Sequence, residues 1–319
     1  MRVLVTGCAG FIGSHCCEAL LRRGDVVVGI DCFDPFYERA LKTRNLDVVR
    51  SVAAERFTFI EGDLLDGTSL DRAFAIGPVD RVLHLAAKVG VRPSIAQPAA
   101  YVRHNIEATT HVLAAMSAHK CDHLVFASSS SVYGDDSVAP YREDARADAP
   151  MSPYAASKRA CELMCRTWHA LYGTHVWGLR LFTVYGPRQR PEMAFHRFAT
   201  HMARGEAVPM FGDGASSRDY TFVGDVVAGV LTAVDRVDGF RVINIGGDRE
   251  IALRDAIELL GGALGVTPTI AVHPSAAGDV RRTTADLTLA GALLGYAPAV
   301  TLEAGLAEFA AWFWQHGVR

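Results

Sequence analysis

The sequence predicts an α/β protein in which a doubly wound parallel sheet forms the larger domain and a smaller mixed α/β domain follows it. Three observations support this fold class. Short β-branched runs alternate with helical patterns through the first half, a glycine-rich turn follows the first run, and the alternation becomes irregular beyond residue 186. The chain has 319 residues, 50% of them hydrophobic and 21% charged, which suits about two domains of ordinary globular composition.

The predicted strands of the parallel sheet are the runs 2–6, 26–30, 57–61, 81–85 and 123–127. Helical patterns lie between or after them at 13–23, 98–118 and 152–172, and the first is closed by Gly24. A further apolar run at 176–182 leads into a segment rich in Pro, Gly and Arg at 186–191, where the composition shifts. The predicted domains are 1–185, with a return segment at about 219–247, and 186–218 together with 248–319.

The charge balance excludes several classes of partner. The chain has 32 Lys and Arg residues against 35 Asp and Glu, so we expect neither nucleic acid nor an acidic membrane as a partner. No apolar run approaches the roughly 18 residues of a membrane span, and the expectation is a soluble protein of the cytoplasm.

The 7 cysteines lack the spacing of a zinc site and the density of a disulfide scaffold. We therefore expect reduced cysteines and no metal.

A glycine-rich turn, Gly7 to Gly13, lies between the first predicted strand and a helix, which is the context of a dinucleotide-binding turn. Glycines there let backbone N–H groups approach a pyrophosphate. Asp31 follows directly after the second run, where a carboxylate accepts hydrogen bonds from an adenosine ribose and disfavours a 2′-phosphate. The pattern predicts a Rossmann domain that favours NAD over NADP, although Arg39 and Lys42 lie nearby. The expected turn contacts are Gly7, Gly10, Phe11, Ile12 and Gly13.

Tyr154 and Lys158 stand four residues apart, one above the other on a predicted helix. A phenol is a poor base at neutral pH, and an adjacent ammonium stabilises its phenolate form. Four serines at 128–131 follow the predicted strand 123–127, at the sheet edge where ligands bind. One of these hydroxyls is placed to share a substrate proton with Tyr154. Either pattern alone is also typical of an ordinary helix or turn.

Together these motifs resemble the extended branch of the short-chain dehydrogenase/reductase superfamily, which contains nucleotide-sugar epimerases and dehydratases. The resemblance covers essentially the whole chain, and the Gly-x-x-Gly-x-x-Gly spacing of the turn belongs to it. Further segments that carry it are His84-Leu85-Ala86-Ala87-Lys88, Ser128 to Gly134, Phe182-Thr183-Val184-Tyr185-Gly186-Pro187-Arg188, and Ser217-Arg218-Asp219-Tyr220-Thr221. It implies an NAD-dependent enzyme with a UDP-sugar substrate, and a homodimer formed through the helices 98–118 and 152–172. The further cofactor contacts it implies are Asp63, Leu64, Leu85, Ala86, Ala87, Lys88, Asn105, Tyr154 and Lys158.

The resemblance also implies which reaction is catalysed. Ser129 corresponds to the family's catalytic hydroxyl, beside Tyr154 and Lys158. Sugar-nucleotide 4,6-dehydratases carry Asp-Glu where this chain has Ser130-Ser131, which excludes dehydration, and UDP-glucuronate decarboxylases usually carry Glu at the second position, which disfavours decarboxylation. What remains is C4 epimerisation: hydride leaves C4 for NAD and returns to the other face of a 4-keto sugar. A noncatalytic NAD-dependent regulator is a rival that the intact catalytic residues disfavour.

The substrate implied by the resemblance is UDP-glucuronate, which epimerisation converts to UDP-galacturonate. Thr183 stands in a Phe-Thr-Val-Tyr-Gly-Pro segment typical of UDP-glucuronate 4-epimerases, whereas UDP-glucose epimerases usually carry Asn. Arg188-Gln189 in place of Trp-Gly leaves two alternatives open, a UDP-glucose or UDP-N-acetylglucosamine 4-epimerase and a UDP-glucuronate decarboxylase. The implied substrate contacts are Arg92, Ser129, Ser130, Ser131, Thr183, Arg190, Arg218 and Asp279.

Overall fold

The computed structural model describes residues 1–134, 137–274 and 281–316. The chain folds into two compact units. The first comprises Met1–Ser137, Ala145–Arg180 and Val227–Ile243, and the second comprises Val138–Asp144, Leu181–Val226 and Asn244–Arg319. The domain limits given above from the sequence stay a prediction.

The elements of the first unit alternate between strands and helices. In chain order they are β1 (Arg2–Thr6), α1 (Phe11–Arg22), β2 (Val26–Asp31), α2 (Arg39–Ala53), β3 (Phe57–Glu61), α3 (Gly67–Ala75), β4 (Arg81–His84), α4 (Val91–Ala96), α5 (Pro98–Tyr101), α6 (Ala108–Ala118), β5 (His123–Ser129), α7 (Pro153–Tyr172) and β6 (His175–Leu181). The predicted helix at 98–118 is interrupted by a π-helical segment, Val102–Glu107, between α5 and α6.

A seven-stranded sheet forms the centre of the first unit. Its strand order is β3-β2-β1-β4-β5-β6-β10, where β10 is the strand Phe240–Ile245. The pairs β1–β2, β1–β4, β2–β3 and β4–β5 are parallel. The strands β1 and β2 are rich in β-branched residues and almost wholly buried, as expected where helices cover a parallel sheet. The order is that of a doubly wound dinucleotide-binding fold, so the predicted fold class is confirmed.

The remaining elements build the smaller sheets and return the chain to the large one. They are β7 (Thr183–Tyr185), α8 (Ala194–Ala203), β8 (Val208–Phe211), β9 (Ser217–Phe222), α9 (Val223–Arg236), β10 (Phe240–Ile245), β11 (Glu250–Ala252), α10 (Leu253–Leu264), β12 (Ile270–His273), α11 (Thr288–Leu294) and α12 (Leu302–His316). The strands β11-β9-β7 form one sheet and β12-β8 another. No helix of the described residues is long and apolar enough to cross a membrane.

Helix α7 is positioned by local signals at both ends. The Ser152 side chain accepts a hydrogen bond from the N–H of Ala155, and Pro153 occupies the first helical position. The helix ends at Gly173, whose N–H bonds the carbonyl of His169. This twenty-residue helix carries Tyr154 and Lys158 in its first two turns.

Candidate active site

The glycine turn connects β1 to α1 at the carboxyl edge of the sheet, and the surrounding backbone leaves no room for a side chain at Gly7 or Gly13. Gly7 has a φ of +72°, and a Cβ on Gly13 would lie 2.1 Å from the Gly7 carbonyl oxygen. Among the described residues, no side chain caps α1 at Gly10 and no acidic residue lies in its first turn. The positive end of the helix therefore faces the turn with its N–H groups available. This arrangement fits a dinucleotide pyrophosphate.

Asp31 ends β2 as a buried carboxylate with a fixed orientation. Its two oxygens accept hydrogen bonds from the backbone N–H groups of Ala9 at 3.2 Å and Phe33 at 2.8 Å. The Lys42 ammonium lies 3.7 Å away and donates to the carbonyl of Asp34. Asp31 is therefore held beside the glycine turn, where a carboxylate suits ribose hydroxyls.

The other predicted cofactor contacts of this unit follow β3 and β4 along the same edge. Asp63 accepts a hydrogen bond from the N–H of Leu65 at 3.0 Å, and Leu64 is buried. Residues 85–88 come directly after β4, and the Lys88 ammonium pairs with Asp34 at 3.1 Å. Because parallel strands end at one edge, these segments lie along one side of the sheet.

Asn105 joins the loop after β4 to α7 from inside the π-helical segment. Its side chain makes two bonds to the backbone of Lys88, accepting from the N–H at 2.7 Å and donating to the carbonyl at 3.0 Å. It also donates to the hydroxyl of Ser157 at 2.8 Å. The sequence predicted a role for Asn105 but missed Ser157, although that residue directly precedes Lys158.

Tyr154 and Lys158 occupy one face of α7, as the spacing predicts. The Lys158 ammonium is buried and donates a hydrogen bond of 2.8 Å to the carbonyl of Ala127 near the end of β5. The Tyr154 ring is half-buried and packs edge-on against Tyr101, with ring centroids 6.2 Å apart. The hydroxyl of Tyr101 is itself fixed to the carbonyl of Val89 at 2.6 Å. The structure thus orients both side chains from several elements of the first unit.

The serine row continues from β5 into a short 3-10 turn, Ser130–Tyr133. The Ser129 oxygen accepts hydrogen bonds from the hydroxyl of Ser131 at 2.9 Å and from its N–H at 3.2 Å. Because Ser129 acts as acceptor in both bonds, its own O–H proton can be donated elsewhere. The serine hydroxyls at this strand end can therefore donate hydrogen bonds to a ligand.

A buried ion pair lies behind this row. The Arg180 guanidinium binds both Glu162 oxygens at 2.9 and 2.8 Å, and Ser128 donates to the same carboxylate at 2.6 Å. Burial alone would raise the pKa of Glu162, but the hydrogen bonds from Arg180 hold it below its ordinary value. Sequence reasoning missed this network, since only the position of Glu162 one turn after Lys158 hints at it.

His84 ends β4 inside the first unit. Its ring nitrogens bond the hydroxyls of Thr6 at 2.7 Å and Thr109 at 3.1 Å. Burial, with a further contribution from the charge of Lys158, lowers the pKa of His84 to about 3. The ring is therefore neutral at physiological pH and links β1, β4 and α6.

The predicted substrate residues are distributed over both units. In the first, Arg92 lies exposed in α4. In the second, Thr183 begins β7 in register with Tyr220 of β9, and the Arg190 guanidinium pairs with Glu192 at 2.6 Å. Arg218 lies in β9 and donates to the carbonyl of Ser217. Asp279 lies outside the described residues.

No group of three or more His, Cys, Asp or Glu side chains in the described ranges could hold a metal ion.

Comparisons with known proteins agree on one family. Residues 3–246 match the family described as the NAD dependent epimerase/dehydratase family. The probable UDP-glucuronate 4-epimerase of Rhizobium meliloti is 36% identical, and the match covers 99% of this chain and 98% of that protein. The UDP-glucuronic acid 4-epimerase of Bacillus cereus, crystallised with UDP-glucuronic acid and NAD, matches with a TM-score of 0.91 and 39% identity over 99% of both chains.

A second solved structure is the UDP-glucose 4-epimerase of Thermotoga maritima with UDP-glucose, with a TM-score of 0.89 and 32% identity over 99% of both chains. The family match spans the glycine turn, the serine row and the Tyr154–Lys158 helix. The resemblance inferred from the motifs is confirmed: the chain belongs to the NAD dependent epimerase/dehydratase family.

Proposed function

We propose that this protein is an NAD-dependent 4-epimerase that interconverts UDP-glucuronate and UDP-galacturonate. The observation that carries the proposal is an intact set of Ser129, Tyr154 and Lys158 in a chain that matches, over 99% of its length, an epimerase crystallised with UDP-glucuronic acid and NAD. A noncatalytic regulator would need none of these three side chains.

Three side chains carry the proton chemistry. Tyr154 takes the proton of the sugar's C4 hydroxyl, while the buried Lys158 ammonium stabilises the phenolate form. Ser129 donates its O–H to the C4 oxygen and keeps it aligned with the phenol. When bound, NAD supplies the redox chemistry, since it accepts the C4 hydride and returns it. Rotation of the 4-keto sugar before the return gives the C4 epimer, and Tyr154 gives the proton back.

The cofactor is held, in this proposal, by the carboxyl edge of the sheet. The backbone of Gly7, Gly10, Phe11, Ile12 and Gly13 binds the pyrophosphate and Asp31 binds the adenosine ribose. Asp63, Leu64, residues 85–88 and Asn105 complete the site. Lys158 holds the nicotinamide ribose, which its position beside Tyr154 favours.

The neutral serine row favours epimerisation over loss of water or CO₂. Eliminating water requires a further acid and base, whereas Ser130 and Ser131 offer hydroxyl groups. A 4-keto glucuronate is a β-keto acid that loses CO₂ readily, so hydrogen bonds that hold its carboxylate protect it. We assign this role to the hydroxyls of residues 129–131 and Thr183. Arg92, Arg190, Arg218 and Asp279 are the proposed contacts to the rest of the nucleotide sugar.

We further propose that the protein acts as a cytoplasmic homodimer. The helices α5, α6 and α7, with the π-helical segment, expose apolar side chains that include Val102, Leu163 and Leu171. Apolar side chains exposed on the helices that the resemblance assigns to a dimer suit such an interface. All seven cysteines are free, which suits a reducing compartment. Sedimentation at two protein concentrations tests the dimer.

The product of each candidate substrate tests the proposed function. The purified protein is incubated with UDP-glucuronate, UDP-glucose or UDP-N-acetylglucosamine without added NAD, and the products are separated by anion exchange with mass detection. We expect a new isomer of unchanged mass from UDP-glucuronate. Loss of CO₂ would make the protein a decarboxylase. Turnover of the neutral sugars alone would make it an epimerase of the UDP-glucose type, the activity named for the Thermotoga maritima structure.

A further inference from the structure

Arg39 and Glu61 form a paired contact beside the proposed adenosine site. Arg39 begins α2 and Glu61 ends β3, and the two terminal nitrogens of the guanidinium bind the two carboxylate oxygens at 2.8 and 2.6 Å. Glu61 is also the register partner of Asp31 in the neighbouring parallel strand. The pair therefore lies directly next to the strand end that selects between ribose hydroxyls and a ribose phosphate.

The Arg39 guanidinium also stacks on Phe33, the residue whose backbone N–H binds Asp31. Its central carbon lies 4.0 Å from the ring centroid of Phe33. Arginine binds phosphate groups with a planar fork of donors. An arginine near the second strand end is one way in which this type of fold accommodates the 2′-phosphate of NADP. Arg39 has the position and chemistry for that role, but its two terminal nitrogens already bind the Glu61 carboxylate.

The second cation of this region is committed elsewhere. The Lys42 ammonium is buried, lies 3.7 Å from the Asp31 carboxylate and donates to the carbonyl of Asp34. The neighbouring Lys88 ammonium is paired with the carboxylate of Asp34 at 3.1 Å. Among these three cations, Arg39 is the one on the surface, with its side chain 58% exposed. A substitution can therefore break the Arg39–Glu61 pair without disturbing buried residues.

We propose that Glu61 is a cofactor-specificity residue that occupies the donor fork of Arg39 and so prevents Arg39 from binding a 2′-phosphate. Asp31 selects NAD by accepting the ribose hydroxyls, and Glu61 engages the exposed Arg39 guanidinium that would otherwise favour NADP. The inference rests on the proposed function in that this sheet edge binds a nicotinamide dinucleotide. The inference adds Glu61 of β3 to Asp31 of β2 as a second carboxylate that favours NAD over NADP.

A competition between the two dinucleotides tests the inference. The full-length protein is equilibrated with equimolar NAD and NADP, unbound nucleotide is removed, and the dinucleotides released on denaturation are quantified. We expect Glu61→Gln to raise the bound ratio of NADP to NAD by about tenfold, because the variant frees the Arg39 fork for the 2′-phosphate and also removes a negative charge that repels this phosphate. The matched control is Glu55→Gln, because Glu55 is another exposed glutamate, paired with Arg56 just before β3.

The double variant Glu61→Gln/Arg39→Gln identifies the cause of any gain. We expect it to lose most of the gain, because the proposal assigns the new phosphate contact to Arg39. A ratio for Glu61→Gln within about twofold of the wild type, or a gain that survives in the double variant, would overturn the inference. Failure of the proposed function looks different, since a wild-type protein that retains neither dinucleotide would contradict NAD dependence itself.

Discussion

Glu162 and Arg180 form a bidentate ion pair with side chains only 1% and 2% exposed, directly behind the residues proposed for catalysis. Glu162 lies one helical turn beyond Lys158, and its carboxylate also binds Ser128, the residue before Ser129. The pair therefore fixes the end of β5 against α7. These two elements carry the hydroxyl, the phenol and the ammonium on which the proposed chemistry depends.

Removing the cation of this pair should destabilise the fold strongly. Arg180→Met removes the buried cation and leaves the Glu162 carboxylate with Arg159, a partly exposed side chain 2.9 Å away, as its charged partner. We expect a loss of about 3 kcal/mol in the free energy of unfolding. Glu162→Leu/Arg180→Met should lose much less, because no unpaired charge remains in the interior. Arg50→Met is the control, since its pair with Asp47 is exposed at both ends and is worth about 0.5 kcal/mol. Urea unfolding measures all three, and equal losses for Arg180→Met and Arg50→Met would contradict this account.

A methyl group at Gly13 should damage the cofactor turn. Its Cβ would lie 2.1 Å from the Gly7 carbonyl oxygen, so the turn must open in Gly13→Ala. Overpacking of this kind costs about 1–3 kcal/mol, and we expect at least about tenfold weaker retention of NAD. Gly67→Ala is the matched control, because no atom lies within 4 Å of a Cβ at this first position of α3. Quantifying bound NAD in both variants checks the prediction, which equal retention would refute.

The stability of the protein should fall in acid partly because of His84. Burial lowers the pKa of this ring to about 3, against an ordinary value of 6.5. Between those values the unfolded chain binds a proton that the folded protein does not, so the free energy of unfolding falls as the pH decreases. One such group contributes a slope of up to about 1.4 kcal/mol per pH unit.

His84→Gln should flatten this dependence, because glutamine offers a donor and an acceptor but does not titrate. The measurement is urea unfolding of both proteins from about pH 7 to about pH 5, where the unfolded histidine takes up its proton. The pKa of His196 is also lowered by burial, to about 4, but this residue is present in both proteins and cancels in the comparison. Parallel slopes for the two proteins would show that His84 is not the group responsible.

Local patterns predicted the sheet and the helix that carries Tyr154 and Lys158 well. The runs at 2–6 and 57–61 are strands with those limits, and α7 begins one residue after the predicted start because Ser152 caps it. The sequence pattern did not predict the π-helical segment that interrupts the predicted helix 98–118. The side chain of Asn105 bonds the backbone of Lys88, a contact 17 residues away that no local pattern reveals.

The residues of the candidate site also fall into two groups, those that a short motif predicts and those whose contacts depend on the fold. Gly13, Tyr154 and Lys158 stand in short motifs whose spacing carries their geometry. The contacts of Glu162 with Ser128 and Arg180 join three elements, and the Arg39–Glu61 pair joins the start of α2 to the end of β3. Each side chain alone reads as an ordinary charged residue, so these partners become apparent only in the fold.

Transfer of the C4 hydrogen tests the central claim most directly. UDP-glucuronate that carries deuterium at C4 is incubated with the protein in ordinary water, and the product is examined by mass and by NMR. We predict UDP-galacturonate that keeps the deuterium at C4, because the hydride removed from that carbon returns to it. Tyr154→Phe keeps the ring that packs on Tyr101 but lacks the hydroxyl, and should form no product. An epimer that has exchanged its C4 deuterium for solvent hydrogen would contradict the account.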